Sequence, residues 1–123
     1  MSNTVLPRIL TVEDDQTFRE TVSEILRDVG YKVKGARTLR KATKRLTKHK
    51  FDLVLTDVRM PGLMDGLALV AQVQIDHPAI RSIVVSGNAS AEQASDAGAL
   101  GFVAKPYLAQ TMIQAVHDTV LRH

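Results

Sequence analysis

The sequence contains neither cysteine nor tryptophan, and aromatic residues make up only 4% of its 123 positions. Without cysteine, disulfide bonds and thiolate metal sites are excluded. Its uncharged stretches are far shorter than the roughly 20 residues that span a bilayer. The opening MSNTVLPRIL lacks the charged-then-apolar layout of a signal peptide. We therefore expect a cytoplasmic protein that does not enter a membrane.

What remains is an ordinary composition, 45% apolar and 24% charged, which is typical of a globular domain. A chain of this length is long enough to bury a sizeable core and falls in the range of a single domain. The sequence shows no internal repeat, low-complexity segment or linker. We expect residues 1–123 to form one domain.

Positive charge is concentrated in one segment, although the net formal charge is only +3. Between positions 37 and 50 every charged residue is basic: Arg37, Arg40, Lys41, Lys44, Arg45, Lys48 and Lys50. Such a run is typical of nucleic-acid-binding surfaces and also of the solvated side of an amphipathic helix. Because no aromatic residues are interleaved for base stacking, we expect a solvated helix that does not bind nucleic acid directly and that buries Leu39, Ala42 and Leu46.

Apolar runs alternate with segments of helical periodicity along the whole chain. The runs predict strands at 9–12, 31–36, 53–55, 80–85 and 102–104. Alternation of five such strands with five helices implies βαβ crossovers and a mainly parallel sheet that is covered on both faces.

The helices are predicted from apolar residues that recur on one face. The first is expected to stop at Gly30 and to have an apolar face made of Phe18, Val22, Ile25, Leu26 and Val29. The basic helix follows it, and further helices are predicted over 67–75 and, as a short one, over 91–97. The closing helix has apolar residues spaced four apart: Leu108, Met112, Val116 and Val120.

The unusual polar residues stand at the ends of the strands. Glu13 and Asp14 follow the first strand, Asp57 closes the third, Ser86 closes the fourth and Lys105 follows the fifth. Ligands of open α/β sheets bind outside the carboxyl ends of the strands. Any one of these residues could serve as a turn or cap, but their agreement across four strand ends points to one shared site.

Three carboxylates within a few ångströms repel one another, each pair by roughly 1 to 4 kcal/mol. The cluster therefore calls for a cation, and oxygen ligands alone suit a hard ion such as Mg²⁺ or Mn²⁺. Asp15 is expected instead to cap the first helix. The histidines show no ligand spacing and are expected at the surface: His49, His77, His117 and His123.

Four segments carry a family resemblance: ILTVEDD (9–15), DLVLTDVRMPG (52–62), VVSG (84–87) and FVAKP (102–106). Together and in this order they resemble the CheY-like receiver domains of bacterial two-component response regulators, across essentially the entire chain. The resemblance implies an α/β, doubly wound, flavodoxin-like (βα)5 fold with five parallel strands in the order 2-1-3-4-5. It also implies a signalling switch that assists its own phosphorylation rather than an enzyme in the usual sense.

The resemblance implies that Asp57 accepts a phosphoryl group from the phosphohistidine of a sensor histidine kinase or phosphotransfer protein. Mg²⁺, with Mn²⁺ as an alternative, would be bound by Asp14 and Asp57, by Glu13 through water, and by the backbone carbonyl of Arg59.

Further roles follow from the same resemblance. Ser86 would hydrogen-bond the phosphoryl group and Lys105 would pair with it, next to a cis bond before Pro106. Ser86 and Phe102 would form the switch, unless Phe102 is fixed core packing in both states. The residues expected to flank the phosphoryl group are Arg59, Gly87 and Asn88.

Three other readings of the chain fit less well. An aspartyl phosphohydrolase generally has a second acid two residues after its nucleophile, where this chain has Arg59. A flavin-binding module would need a Ser/Thr/Gly-rich loop after the first strand, where this chain has EDDQ (13–16). A degenerate receiver used only as a scaffold would lack active-site residues that are all present here.

The chain departs from the commonest receiver pattern in two places. Its turn PGLMDG (61–66) is one residue longer than the frequent form, and the stretch 86–105 is about one helical turn short. The fourth helix should therefore be small, which puts the usual dimer mode in doubt. We expect a monomer or a phosphorylation-dependent dimer with an unknown output partner, acting alone or as part of a transcription factor or hybrid kinase.

Overall fold

The computed structural model describes residues 6–60 and 65–121, and its five apolar runs pair as one parallel sheet. The strands are β1 (Arg8–Val12), β2 (Lys32–Ala36), β3 (Leu53–Asp57), β4 (Arg81–Ser86) and β5 (Gly101–Ala104). They lie in the order β2-β1-β3-β4-β5, and every neighbouring pair is parallel. The predicted fold class and strand order are confirmed.

Helices follow each strand and cover both faces of the sheet. They are α1 (Gln16–Asp28), α2 (Leu39–Lys48), α3 (Gly66–Asp76), α4 (Ala91–Ala97) and α5 (Ala109–Val120). Residues of α1 and α5 share one buried cluster with the strands, whereas α2, α3 and α4 contribute to the clusters on the opposite face. Burial on both faces explains why the central strands consist of continuous apolar runs.

Two helix boundaries were predicted from local chemistry and are confirmed. Asp15 caps α1, since its side chain accepts a hydrogen bond from the Phe18 N–H at 2.9 Å. The fourth helix is short, with only 7 residues. It begins at a reciprocal capping box between Ser90 and Gln93 and ends at Gly98, whose φ of 110° suits glycine.

Three residues of the predicted apolar helix faces are largely exposed. Phe18 is 50% exposed, Val29 is 49% exposed and Leu108 is 75% exposed. Phe18 lies in the first turn of α1 and Val29 is its C-cap, so both stand at the ends of the helix. Leu108 is the residue before α5 and points outward.

The basic helix packs as predicted, with Ala42 and Leu46 buried and Leu39 partly buried against the core. His49 and His117 are exposed and His77 is partly exposed, in agreement with their predicted surface positions. His123 and residues 61–64 of the longer turn lie outside the described residues. In the part of the chain that is described, no helix has the length and apolar character needed to cross a membrane.

Candidate functional site

The predicted acidic cluster forms where the strand order reverses, between β1 and β3. These strands are neighbours, with Val12 opposite Thr56, so Glu13 and Asp14 emerge beside Asp57. One oxygen from each of the three carboxylates lies within 4.8 Å of the others. Glu13 is buried, Asp57 is partly buried and Asp14 is exposed, so the cluster opens to solvent on one side.

The donor set of this cluster fits a hard divalent cation. It offers carboxylate oxygens and no histidine or cysteine among the described residues, which is the chemistry that Mg²⁺ and Mn²⁺ prefer. Three carboxylates cannot fill an octahedral shell alone, so water and backbone oxygens would have to complete it. The structure thus brings together the predicted metal-binding side chains.

Lys105 bridges two of the carboxylates. Its Nζ lies 2.8 Å from Glu13 Oε1 and 2.8 Å from Asp57 Oδ2. The lysine follows β5, where the peptide bond to Pro106 is cis, as the resemblance implied. A single ammonium therefore offsets part of the repulsion between two acids that come from different strands.

Protonation in the site follows from burial. Desolvation raises the pKa of Glu13 to about 6, although the hydrogen bond from Lys105 acts in the opposite direction. Burial by itself lowers the pKa of Lys105, but its hydrogen bonds to Asp57 and Glu13 outweigh that effect and raise it. The lysine is thus charged at neutral pH, while Glu13 can bind a proton in mildly acidic conditions.

Phe18 is a part of the site that was predicted only as a member of the apolar face of the first helix. The Lys105 ammonium lies 4.8 Å from the centroid of its ring, a cation–π contact worth about 0.5 to 1 kcal/mol at an exposed position. The ring also borders the small cavity beside Asp57. In the sequence, only its position about one helical turn after Glu13 and Asp14 indicated that Phe18 could belong to the site.

Ser86 closes β4 and is buried, with 2% of its surface exposed. Its Oγ accepts hydrogen bonds from the backbone N–H groups of Asn88 at 3.0 Å and Ala89 at 2.9 Å. A hydroxyl has two acceptor lone pairs and one donor. Both lone pairs are therefore used by the loop, and the O–H remains available to donate to an incoming oxygen.

The other predicted residues surround the cluster at different distances. The Arg59 backbone N–H makes a long hydrogen bond of 3.4 Å to Asp57 Oδ1, while its exposed side chain borders the same groove as Asp14. Gly87 and Asn88 follow Ser86 in the exposed β4–α4 loop. Phe102 is not beside the carboxylates, because it is partly buried against the α3 and α4 side of the sheet.

Gly66 is a second residue that the sequence analysis missed. A Cβ built on it would lie only 1.8 Å from the backbone oxygen of Asp57. Its N–H also donates to the Val58 carbonyl at 2.8 Å. The start of α3 thus packs directly on the backbone of Asp57, and only glycine allows this approach.

Comparison with known proteins agrees with this geometry. A family model for the response regulator receiver domain matches residues 9–117. The transcriptional regulatory protein ZraR of Escherichia coli K12 is 36% identical over 118 residues, which are 94% of this chain and 26% of that protein. The C4-dicarboxylate transport transcriptional regulatory protein DctD of Rhizobium meliloti is 32% identical over 112 residues, 89% of this chain and 24% of DctD. The chain thus spans about a quarter of the length of these relatives.

Solved structures show the same fold. A CheY-like receiver domain protein from Methanospirillum hungatei matches with a TM-score of 0.87 at 28% identity, over 94% of each chain. The chemotaxis response regulator CheY4 of Vibrio cholerae matches with a TM-score of 0.86 at 28% identity, over 95% of this chain and 100% of CheY4. With the family match covering most of its residues, the chain belongs to the response regulator receiver domain family.

Proposed function

We propose that this domain is a phosphorylation-dependent switch that accepts a phosphoryl group on Asp57. The donor is the phosphohistidine of a sensor histidine kinase or a phosphotransfer protein. The observation that carries the proposal is the contact of Asp57 with the Lys105 ammonium at 2.8 Å, within a cluster of acids suited to a divalent cation. This combination provides a nucleophile, a cation for the phosphoryl oxygens and a place for a metal.

The choice of Asp57 among the three acids rests on its position. It ends the central strand β3, and it is less buried than Glu13, which is only 7% exposed. Asp14 is exposed and lies on the rim of the groove that Arg59 also borders. An oxygen of Asp57 would attack the phosphorus while the bond to the histidine nitrogen breaks, so that the phosphoryl group moves from nitrogen to oxygen.

Asp14 and Asp57 would hold Mg²⁺ or Mn²⁺ directly, Glu13 through a water molecule, and Arg59 through its backbone carbonyl. When bound, the cation supplies positive charge to the phosphoryl oxygens. Lys105, which contacts Glu13 and Asp57, would turn toward the new phosphate, since a phosphoryl group brings close to two negative charges.

Ser86 would complete the phosphoryl pocket with its hydroxyl. Its O–H is free to donate, because both lone pairs already accept N–H groups of the loop. The proposed flanking residues are Arg59, which borders the groove with Asp14, and Gly87 and Asn88, which directly follow Ser86. Phe102, packed beside α4, would respond through the loop that Ser86 holds.

We further propose that residues 1–123 act as one receiver unit, as a monomer or a phosphorylation-dependent dimer. The domain would act on an output partner either as a stand-alone protein or as part of a larger regulator. We place the exchange in the cytoplasm, where the sequence leads us to expect this domain.

The test is to incubate the chain with acetyl phosphate and Mg²⁺ and to weigh the intact protein. We expect one acid-labile phosphoryl adduct on the native chain and none on Asp57→Asn. Asp15→Asn is the matched control, because it removes a neighbouring carboxylate but keeps a good helix cap. A full-yield adduct on Asp57→Asn, or an unchanged yield after chelation of the metal, would contradict the proposal.

A further inference from the structure

Charge in this molecule is divided between two regions. Residues 32–50 contain nine lysines and arginines and no acidic residue. Since the whole chain carries a formal charge of +3, the remainder carries −6. The acidic cluster at the carboxyl ends of β1 and β3 belongs to that remainder, so the two regions of opposite charge are distinct in the fold.

The first part of the basic region is the outer side of α2. Lys41, Lys44, Arg45 and Lys48 border one groove together with His49. They recur at intervals of three and four residues, so they lie along one side of the helix. The opposite side of α2 is buried through Ala42 and Leu46, which leaves the cationic side to solvent.

The second part continues from α2 onto the edge of the sheet. Arg8, Lys32, Lys34 and Lys50 border a neighbouring groove that also includes His49. β2 is an edge strand, so its exposed lysines are not covered by another strand. Because the two grooves share His49, the eight cations that line them form one continuous surface, which we call the cationic face.

None of these eight cations forms an ion pair with a carboxylate among the described residues, where both ion pairs belong to Lys105. The negative end of the α2 dipole stabilises the positive charges of Arg45 and Lys48, which lie in the last turn of α2. It does not account for the remaining six, which repel one another; the carboxylate of Asp52 is held by the backbone N–H of Arg8 at 2.8 Å and forms no ion pair with them among the described residues. The Nε of Arg45 is buried without a hydrogen-bond partner in the described part of the chain.

The side chains of the face indicate what kind of anion it fits. Protein interfaces are depleted in lysine at their centres and use aromatic or apolar anchors, and membrane-lying helices insert apolar side chains. Among the described residues, none of the large apolar side chains that are exposed lies between positions 32 and 50. The grooves of the face include no exposed phenylalanine, tyrosine or tryptophan for stacking unpaired bases, and the imidazole of His49 stands edge-on to the Phe51 ring.

We propose that the cationic face binds the phosphodiester backbone of a double-stranded nucleic acid. A duplex presents regularly spaced phosphates and needs neither apolar anchors nor stacking rings. The absence of interleaved aromatic residues led us to expect no nucleic-acid binding. Stacking on aromatic rings, however, is a feature of single-strand binding only. The second groove lies at the amino ends of β1 and β2, opposite the phosphoryl site, so the proposal is independent of phosphorylation.

The experiment measures fluorescence anisotropy of a labelled DNA duplex of about 20 base pairs as the full chain is added, at salt from about 50 to 200 mM. The test variant is Lys41→Gln with Lys44→Gln and Lys48→Gln. The control variant is Ser95→Glu with Gln110→Glu and Thr111→Glu, which lowers the net charge equally at exposed positions outside the face.

We expect the native chain and the control to bind the duplex with a steep salt dependence. The test variant should bind at least about tenfold more weakly, and its slope of log affinity against log salt should be shallower by up to about 2.7. The second groove gives an independent variant, Lys32→Gln with Lys34→Gln and Lys50→Gln, with the same expected loss. Circular dichroism and thermal unfolding verify that each variant is folded.

Three results would overturn the proposal. The first is no binding by the native chain at about 50 mM salt. The second is equal binding by the test and control variants. The third is tighter binding, at equal salt, to a single-stranded oligonucleotide, to polyglutamate or to vesicles containing phosphatidylserine, since each of these would assign the face to a different partner.

Discussion

Gly66 shows how much of the site depends on a residue that contributes no chemistry. Replacement by alanine would put a methyl group 1.8 Å from the Asp57 carbonyl oxygen. We expect Gly66→Ala to lower the free energy of unfolding by about 1 to 3 kcal/mol, the usual cost of overpacking, and to slow phosphorylation by displacing Asp57. Urea unfolding and intact-mass kinetics measure the two effects.

Gly35→Ala is the matched control, because its added Cβ would meet only the flexible side chain of Arg19, at 3.1 Å. We expect it to lose little stability and to keep the native phosphorylation rate. If Gly66→Ala and Gly35→Ala had the same stability and phosphorylation rate, the start of α3 could move away from Asp57 at little cost, contrary to our expectation.

Glu13 predicts a pH dependence of metal binding. Its pKa is raised from 4.5 to about 6 in the metal-free protein, so the folded state holds a proton that the unfolded state has lost. The stability contributed by this proton is present below pH 4.5 and is lost as the pH rises through about 6. Binding of Mg²⁺ would have the opposite dependence, because it would require the Glu13 carboxylate in its ionised form.

We therefore expect Mg²⁺ affinity to fall severalfold between about pH 7.5 and 5.5. Titration calorimetry suits the measurement, since the chain has no tryptophan to report by fluorescence. Glu13→Gln should bind Mg²⁺ more weakly at neutral pH and should show little further loss over this range. An identical pH dependence in both proteins would assign the proton to another group.

At the scale of elements, the β4–α4 loop links the site to the side of the sheet where Phe102 packs. Ser86 holds this loop through two backbone N–H groups. A charge-assisted hydrogen bond from its O–H to a phosphoryl oxygen is worth about 1.5 to 3 kcal/mol, which shifts a two-state population by roughly tenfold to over a hundredfold. We expect phosphorylation to move the loop and, through it, the Phe102 ring.

The measurement is the change in NMR chemical shifts of Phe102 and its neighbours when phosphate is added. Ser86→Ala should still accept phosphate but lose most of this change. Ser86→Thr, which keeps a hydroxyl, should retain much of it, and Ser95→Ala on the exposed side of α4 should behave as the native chain. Equal responses in Ser86→Ala and the native chain would exclude Ser86 as the trigger.

The elements also show what could be predicted from sequence and what could not. The short α4 was predictable because Gly98 marks its end and the segment before it is brief. Periodicity identified the apolar side of α1 but not which of its residues are covered, and Phe18 and Val29 at the two ends are about half exposed. Such coverage depends on the tertiary arrangement of neighbouring elements, which spacing within a single helix does not contain.

The site residues could be predicted because parallel strands bring their carboxyl ends to the same edge. Glu13, Asp57 and Lys105 meet there from three different strands. The close approach of Gly66 to Asp57 and the use of the Ser86 lone pairs could not be predicted, because both depend on distances to backbone atoms in the folded chain. The family resemblance assigns roles to side chains, whereas these contacts are made by the backbone.

At the scale of the whole molecule, the ion pairs of Lys105 can form only when the sheet is complete. The lysine contacts partners 92 and 48 residues earlier in the chain, so the contacts require β1, β3 and β5 to be assembled in one sheet. Sheets built by such distant pairings form late and slowly. A chain still being synthesised, or one lacking its last strand, has the acceptor aspartate but not the ammonium beside it. We therefore expect the site to assemble only in a complete domain, so that truncated or misassembled copies would accept the proposed phosphoryl group poorly.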